Sequence, residues 1–182
     1  MNAVPTNIPD VIAFEPKVFG DARGVFFESF NQKVFEDAVG KHYDFVQDNH
    51  SQSSKGVLRG LHYQIEQAQG KLVRVVAGEV FDVAVDIRRS SPTFGQWVGQ
   101  YLSDENKKQI WVPPGFAHGF LVLSDTAELL YKTTDFYAPA HERCLSWNDS
   151  TTNIQWPDIG TAPLLSAKDQ QGLSIHQAEL FA

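Results

Sequence analysis

The sequence has little cysteine, few basic residues and no long apolar run. Its single cysteine, Cys144, cannot form an internal disulfide and has no flanking redox or metal-binding motif, which favours a reducing, cytoplasmic location. The longest apolar segments, such as residues 120–123, are far too short to span a bilayer, so we expect no membrane association. Residues 1–5 lack the basic and apolar regions of a secretion signal.

The balance of charge limits the possible partners. The chain has 15 lysines and arginines against 22 aspartates and glutamates, for a net charge of −7. This balance argues against nucleic acid and anionic membranes, because both require a basic surface. An anionic small molecule stays possible if the few cations are concentrated in one cleft.

The 182 residues predict a single domain over 1–182, without repeats or linkers. Short β-type segments separated by turn residues dominate, and the clearest is 79–87, where apolar residues occupy every second position. About ten strands at this spacing predict a mainly β, two-sheet jelly roll. The other predicted strands are 12–19, 25–30, 45–51, 57–63, 72–77, 96–102, 109–112, 117–123 and 128–136.

Two short helices are predicted at the flanks of the sheets. Asn31 is a suitable N-cap for a helix over 33–39, and Gly40 is a suitable C-cap. A terminal helix is expected over 175–181.

His62 is a polar residue on a predicted apolar strand, in the segment Arg59-Gly60-Leu61-His62. Arg59 beside apolar positions indicates an anionic partner. Strict alternation would place Arg59 and His62 on opposite faces, but a bulge at Gly60 would bring both into one cleft.

A second histidine, His118, lies in a Pro-x-Gly-x-x-His pattern formed with Pro113 and Gly115. This pattern occurs in the second half of the cupin signature, so the jelly roll is expected to be a cupin-type double-stranded β-helix. Metal-binding cupins supply two further ligands as His-x-His, whereas this chain has His62-Tyr63-Gln64. Two histidines are fewer than the three protein ligands that a catalytic metal usually has, so no metal and no cofactor are expected.

Without a metal, His62 can act as a base toward a carbon next to a carbonyl, since histidine titrates near neutrality. Asp82 and Asp169 are both candidates for the carboxylate that orients a catalytic histidine. Lys71 could stabilise a developing enolate, and Tyr131 could supply a proton from the opposite face.

As a set, these residues resemble the dTDP-4-dehydrorhamnose 3,5-epimerase family, whose members are metal-free cupins. The resemblance extends over nearly the whole chain. Its segments are 19–24, 27–31, 45–51, 57–64, 70–75, 81–88, 114–123, 131–134 and 165–169.

The resemblance implies epimerisation at C3 and C5 of a dTDP-4-keto-6-deoxyhexose. It implies His62 as the base, Asp169 as its dyad partner, and Lys71 and Tyr131 in the roles given above. His118, held by Asp82, would bind the sugar. Further substrate-binding positions implied in this way are Arg23, Phe26, Glu28, Gln47, Asn49, Arg59, Glu142 and Lys168.

The resemblance also implies a homodimer in which Arg23, Phe26 and Glu28 serve the site of the neighbouring subunit. A single-centre epimerase acting on a related 4-keto sugar nucleotide remains an alternative. A 3,4-ketoisomerase is less favoured, because the context of Arg59, His62 and Lys71 fits epimerisation better. Two further alternatives are also less favoured, namely a non-catalytic cupin that binds a carbohydrate or a nucleotide and a metal-dependent cupin.

Overall fold

The computed structural model describes residues 1–182 and is dominated by short strands. The strands are β1 (Asn2–Pro5), β2 (Ile12–Glu15), β3 (Val18–Asp21), β4 (Gly24–Phe27), β5 (Gln47–Ser54), β6 (Leu58–Gln64), β7 (Lys71–Ala77), β8 (Glu79–Asp86), β9 (Trp97–Ser103), β10 (Gln109–Val112), β11 (Phe116–Val122), β12 (Thr126–Thr133) and β13 (Glu142–Cys144). The helical elements are α1 (Gln32–Val39) and two 3₁₀ turns, Pro139–His141 and Asp169–Gln171. None of them combines the length and apolar character that crossing a membrane would require.

Two antiparallel sheets form the body of the protein. The six-stranded sheet has the order β1-β2-β10-β7-β12-β5, and the five-stranded sheet has the order β13-β6-β11-β8-β9. Apolar side chains from both sheets, among them Val73, Ala84 and Phe120, pack into a core of 15 buried residues. The predicted jelly roll is therefore confirmed, with the space between the two sheets available for a site at one end.

Strand β8 is buried on both faces, which explains its unusually apolar sequence. Phe81, Val83 and Val85 pack outward against the C-terminal part of the chain, including Ile175. The alternate positions face the barrel interior, and one of them is the fully buried Asp82. A carboxylate at such a position requires a partner inside the barrel.

Helix α1 is present where the caps predict it. The Asn31 side chain accepts a hydrogen bond from the Val34 backbone amide, and Gly40 ends the helix with φ +73 in the left-handed region. Phe35 is fully buried and packs against Trp111 on the outer face of the six-stranded sheet, with ring centroids 5.0 Å apart. Helix α1 thus covers the outer face of the six-stranded sheet, and the opposite face of this sheet points toward the interior of the protein.

The predicted terminal helix over 175–181 is wrong. This segment forms turns and isolated bridges, and its backbone groups bond to other parts of the protein. The Ile175 amide donates to Asp149, and the Glu179 carbonyl accepts from the Tyr63 hydroxyl. These contacts satisfy the backbone without a helix.

Several predicted strand limits also differ from the structure. The predicted strand over 12–19 is split into β2 and β3, because Pro16 interrupts it, and the strand predicted over 128–136 ends at Thr133. Strands β1 and β13 were not predicted. Strand β13 has only three residues, which is too few for an alternating pattern to be visible.

The β3–β4 hairpin stands apart from both sheets. It forms a two-stranded sheet of its own, and all residues of β3 and most of β4 are exposed. Phe19 and Phe26 are 54% and 75% exposed. An apolar, unsupported hairpin of this kind is typical of a surface that another protein covers.

Candidate active site

A cavity of about 300 Å³ opens between the two sheets. Strand β6 of the five-stranded sheet contributes His62, while strands β7 and β12 of the opposite sheet contribute Lys71 and Tyr131. The base candidate and the acid candidate therefore occupy opposite walls. The lining residues are Gln47, Asn49, His62, Tyr63, Gln64, Gln69, Lys71, Tyr131, Tyr137 and Glu142.

His62 forms a dyad with Asp169. The His62 Nε2 and an Asp169 carboxylate oxygen lie 2.6 Å apart, and Asp169 is buried, with only 4% of the residue exposed. Burial by itself would raise the pKa of Asp169, but hydrogen bonds from His62, Ser166 and the Gly60 amide outweigh it and lower the pKa to about 2. The Asp169 carboxylate therefore stays negatively charged beside one ring nitrogen of His62, and the other ring nitrogen is free to contact a ligand.

Gly60 brings neighbouring residues of β6 into this region, as the sequence predicts. The register between β6 and β11 shifts at this point, and Gly60 has φ +114. A Cβ atom there would lie 2.6 Å from the His118 carbonyl oxygen, so only glycine is accommodated. Arg59 and His62 consequently line a second cavity, of about 410 Å³, together with Lys168 and Asp169, and His62 also lines the first cavity.

Lys71 is buried rather than exposed at its strand end, since only 9% of the residue is accessible. Its amine makes a single long hydrogen bond, 3.4 Å to the His62 carbonyl oxygen. Burial lowers the pKa of Lys71 to about 8, although the charges of Asp82 and Glu142 act in the opposite direction. The amine therefore retains capacity to donate to an oxyanion in the cavity.

Tyr131 faces the cavity from the middle of β12, where it pairs with Asn49 on one side and Val73 on the other. Burial is the main reason that its pKa is raised, and the nearby Arg59 charge only partly offsets this. The hydroxyl therefore remains protonated at neutral pH and can donate a proton or a hydrogen bond.

His118 and Asp82 form a second histidine–carboxylate pair. The His118 Nε2 lies 2.9 Å from both Asp82 oxygens, and both residues are buried. His118 pairs directly with His62 across strands β11 and β6. Asp82 is therefore the partner of His118, and Asp169 is the partner of His62, which resolves the choice that the sequence left open.

Glu142 connects the cavity to Lys168 and to a residue that the sequence analysis missed. Its carboxylate bonds to the Lys168 ammonium and accepts a 2.8 Å hydrogen bond from the Tyr137 hydroxyl. Burial would raise the pKa of Glu142, but these two donors lower it overall. Tyr137 lies in a loop after β12 without any periodic pattern, so no sequence signal identified it.

Gln64 occupies the place where metal-binding cupins carry a second histidine, and here it organises two loops. Its amide nitrogen donates to the carbonyls of Gln67 and Phe136, while its oxygen accepts from the Ala138 amide. The Tyr137 amide in turn donates to the Gln47 side chain. The Gln64 side chain thus bonds to backbone groups on either side of Tyr137, and these bonds hold Tyr137 beside the cavity.

Cys144 lies next to the dyad. Donor atoms of His62, Cys144 and Asp169 all fall within 4.8 Å of one another. Burial, followed by the Asp169 charge, raises the pKa of Cys144 to about 12, so the thiol is protonated and unsuited to nucleophilic attack.

The remaining predicted residues divide into two groups. Gln47 and Asn49 share one face of β5 and are joined by a 3.0 Å hydrogen bond at the cavity wall. Arg23, Phe26 and Glu28 are exposed on or next to the β3–β4 hairpin and do not line the cavity of their own chain.

A family model and a sequence relative identify the same family for this chain. The family described as dTDP-4-dehydrorhamnose 3,5-epimerase matches residues 5–177. A dTDP-4-dehydrorhamnose 3,5-epimerase of Pseudomonas aeruginosa is 67% identical over 181 residues, which cover 100% of this chain and 99% of the relative.

Solved structures agree with the sequence match. A dTDP-6-deoxy-D-glucose-3,5-epimerase of Legionella pneumophila, in complex with dTDP-4-keto-L-rhamnose, is 54% identical with a TM-score of 0.95 and coverage of 98% and 94% of the two chains. A 3'-monoepimerase of Streptomyces bikiniensis, in complex with dTDP-quinovose, is 35% identical with a TM-score of 0.88 and coverage of 94% and 87%.

Proposed function

The chain belongs to the dTDP-4-dehydrorhamnose 3,5-epimerase family, and we propose how its own residues carry out that reaction. The enzyme is an isomerase that converts dTDP-4-dehydro-6-deoxy-D-glucose to dTDP-4-dehydro-L-rhamnose. The observation that carries the proposed roles is the placement of His62 and Tyr131 on opposite sheets across one cavity.

In the first half of each epimerisation, His62 takes a proton from the carbon beside the C4 ketone. The ring nitrogen that is free of Asp169 accepts the proton, and the carboxylate stabilises the imidazolium that forms. The electron pair moves to the ketone oxygen, where the buried Lys71 amine stabilises the enolate. Removing the C–H proton at C3 and then at C5, or in the reverse order, uses the same groups.

In the second half, a proton must reach the opposite face of the same carbon. Tyr131 is suited to this step because it faces the cavity from the other sheet and keeps its proton at neutral pH. The resulting tyrosinate then recovers a proton from solvent or from the imidazolium. His118, fixed by Asp82, is proposed to hydrogen-bond the sugar.

The nucleotide part of the substrate is proposed to bind along the cations of the second cavity, which shares His62 with the first. Although the chain is acidic overall, Arg59 and Lys168 lie together on the side of His62 that faces Asp169. Guanidinium and ammonium groups are the usual partners of a diphosphate. Gln47, Asn49 and Glu142 supply neutral and acidic contacts on the other side.

We further propose a homodimer in which the β3–β4 hairpin extends to the partner's cavity. The support is that Arg23, Phe26 and Glu28 lie outside their own cavity and that Phe26 is 75% exposed. A cytoplasmic location is also proposed, because a lone thiol without a disulfide partner suits a reducing compartment.

The direct test is hydrogen exchange in deuterated water with the 4-keto-6-deoxyglucose nucleotide as substrate. The wild-type enzyme is expected to incorporate deuterium at both C3 and C5 without added metal or nicotinamide. Incorporation at one carbon alone would indicate the single-centre epimerase instead.

Three variants assign the roles. His62→Ala should abolish exchange at both carbons, whereas His50→Ala, at an exposed histidine on the outer face of β5, should leave exchange unchanged. Tyr131→Phe should reduce inversion far more than exchange, because proton removal does not need its hydroxyl. Exchange that persists at both carbons in His62→Ala would refute the assignment of the base.

A further inference from the structure

The two side chains of the dyad and the neighbouring Cys144 are of three types that commonly bind metal ions. The imidazole nitrogen of His62, the sulfur of Cys144 and a carboxylate oxygen of Asp169 lie within 4.8 Å of one another. They come from three separate parts of the chain, namely β6, β13 and the 3₁₀ turn Asp169–Gln171. The epimerase roles proposed above give Cys144 no function.

The sheet itself directs Cys144 toward His62. These residues are directly opposite each other in the antiparallel pair of β13 and β6. Leu61 and Leu145, the next pair along, exchange both backbone hydrogen bonds. The His62–Cys144 pair is therefore a non-hydrogen-bonded pair, the type in which opposing side chains lie closest.

The donor set selects one class of ion. Nitrogen, sulfur and carboxylate oxygen together are the ligands of zinc, whereas magnesium and calcium take oxygen ligands only. Three protein ligands leave a fourth position for water. His62 and Cys144 are both partly exposed, so an ion has a path from the cavity, and the nearby Lys168 charge is paired with Glu142.

We propose that His62, Cys144 and Asp169 form an inhibitory Zn²⁺ site. This inference rests on the proposed role of His62 as the base, and it adds a mode of regulation to that role. The ion takes the position of the proton between His62 Nε2 and Asp169, which now lie 2.6 Å apart and move away from each other to coordinate it.

The proton balance explains the inhibition. The Cys144 thiol releases one proton to solvent as its sulfur binds the ion. The Nε2 lone pair binds the same ion, so the neutral ring carries its proton on Nδ1 instead. A ring nitrogen that already bears a proton cannot accept one from the sugar, and epimerisation stops without loss of the fold.

The test measures binding and activity separately on the purified enzyme. Co²⁺ is added first as a spectroscopic substitute for Zn²⁺, and we expect a thiolate-to-cobalt absorption band that saturates at one equivalent. Zn²⁺ should displace this band and inhibit deuterium exchange over the same concentration range, whereas Mg²⁺ should do neither.

Cys144→Ala is the diagnostic variant. It should lack the cobalt band and retain basal epimerase activity. Its half-inhibitory Zn²⁺ concentration should rise at least about 10-fold, since even residues outside the coordination sphere of a metal contribute that much affinity. Cys144→Ser serves if the alanine variant folds poorly, and His50→Ala controls for surface histidines, because His50 lies 3.0 Å from Glu128 on the outer face.

The outcomes separate this inference from the proposed function. Absence of the cobalt band, or equal inhibition of wild type and Cys144→Ala, would overturn the zinc site and leave the epimerase mechanism intact. A band without inhibition would overturn its inhibitory role. If His62→Ala keeps full exchange, the base assignment fails, whatever the metal does.

Discussion

His62 and Asp169 are separated by 107 positions in the chain, yet their hydrogen-bonding atoms lie 2.6 Å apart. The contact depends on the 3₁₀ turn at Asp169, which also bonds to the Gly60 amide and the Ser166 hydroxyl. The orientation of the base is therefore set by a segment far from the strand that carries it.

Replacing the carboxylate tests this dependence. Asp169→Asn removes the charge that stabilises the imidazolium and allows the wrong tautomer, so we expect kcat to fall by about 10³- to 10⁴-fold with little change in KM. Ser166→Ala keeps the charge and removes one of its hydrogen bonds, so its loss should stay within about 10-fold. Similar kinetics for Asp169→Asn and wild type would exclude the dyad.

The burial of Lys71 predicts that removing its charge will stabilise the protein and lower its activity. Its pKa is about 8 in the folded protein against 10.5 for an ordinary lysine, so the unfolded chain binds more protons between these two values. Below pH 8, Lys71 is protonated in both the folded and the unfolded protein, and burying its ammonium group costs about 3 kcal/mol of stability. This cost disappears as the pH rises toward 10.5.

Lys71→Met should therefore raise the free energy of unfolding at pH 7 and lose this advantage near pH 10.5, while kcat falls by about 10²- to 10³-fold. Urea denaturation at the two pH values measures the first effect. Lys55→Met, at an exposed position, should change neither stability nor activity. A destabilised Lys71→Met at pH 7 would contradict the expected cost of burial.

The same lysine predicts an alkaline limit to catalysis. As the pH rises through about 8, Lys71 loses the charge that stabilises the enolate, so kcat/KM should decline with the slope of a single ionisation. Tyr131 does not cause this decline, because its pKa is raised. In Lys71→Arg, whatever activity remains should show no such limit, since arginine stays charged. An unchanged rate up to pH 10 in the wild type would show that the charge is not required.

Mixed dimers test whether the hairpin acts on the partner's site. Arg23→Ala and His62→Ala homodimers are each expected to be inactive. After subunit exchange, a mixed dimer has one cavity with an intact His62 and an intact Arg23 from the other chain, so activity should recover to about a quarter of wild type under random pairing. No recovery despite confirmed exchange would indicate that the hairpin serves its own chain.

We expect Gln64 to influence substrate binding through the loop that carries Tyr137. Gln64→Leu leaves the carbonyls of Gln67 and Phe136 and the Ala138 amide without partners, which should destabilise the fold by about 1–3 kcal/mol. Release of Tyr137 should raise KM more than it lowers kcat. Gln69→Leu, which removes one bond to the Asp135 carbonyl, is the matched control, and it should have the smaller effect on both.

The sequence predicted the parts of the fold that have local causes. Helix α1 follows from its two caps, and most strands follow from alternation or from turn residues. The tail over 175–181 could not be predicted in this way, because its backbone partners, Asp149 and Tyr63, are distant in the chain. Tertiary contacts override local propensity in such segments.

The site was predictable to the extent that its residues interrupt an apolar pattern. His62, Lys71 and Asp82 stand out because charged or polar groups are rare in strands that are otherwise apolar. Tyr137 and the structural role of Gln64 were not visible, since their importance arises from loop contacts that exist only after folding. The pairing of each histidine with its own aspartate likewise required the three-dimensional structure.

Gly60 and Gly119 face each other where β6 crosses beside β11, and a Cβ added at Gly60 would stand 2.7 Å from the Gly119 Cα. The distance between the strands that bear His62 and His118 is thus set by peptide groups in direct contact. A substitution at Gly119 would alter this distance as well, because a Cβ atom there would lie 2.5 Å from the Arg59 carbonyl oxygen. Gly60 itself cannot be replaced by progressively larger residues, because alanine, the smallest possible replacement, already forces the two strands apart.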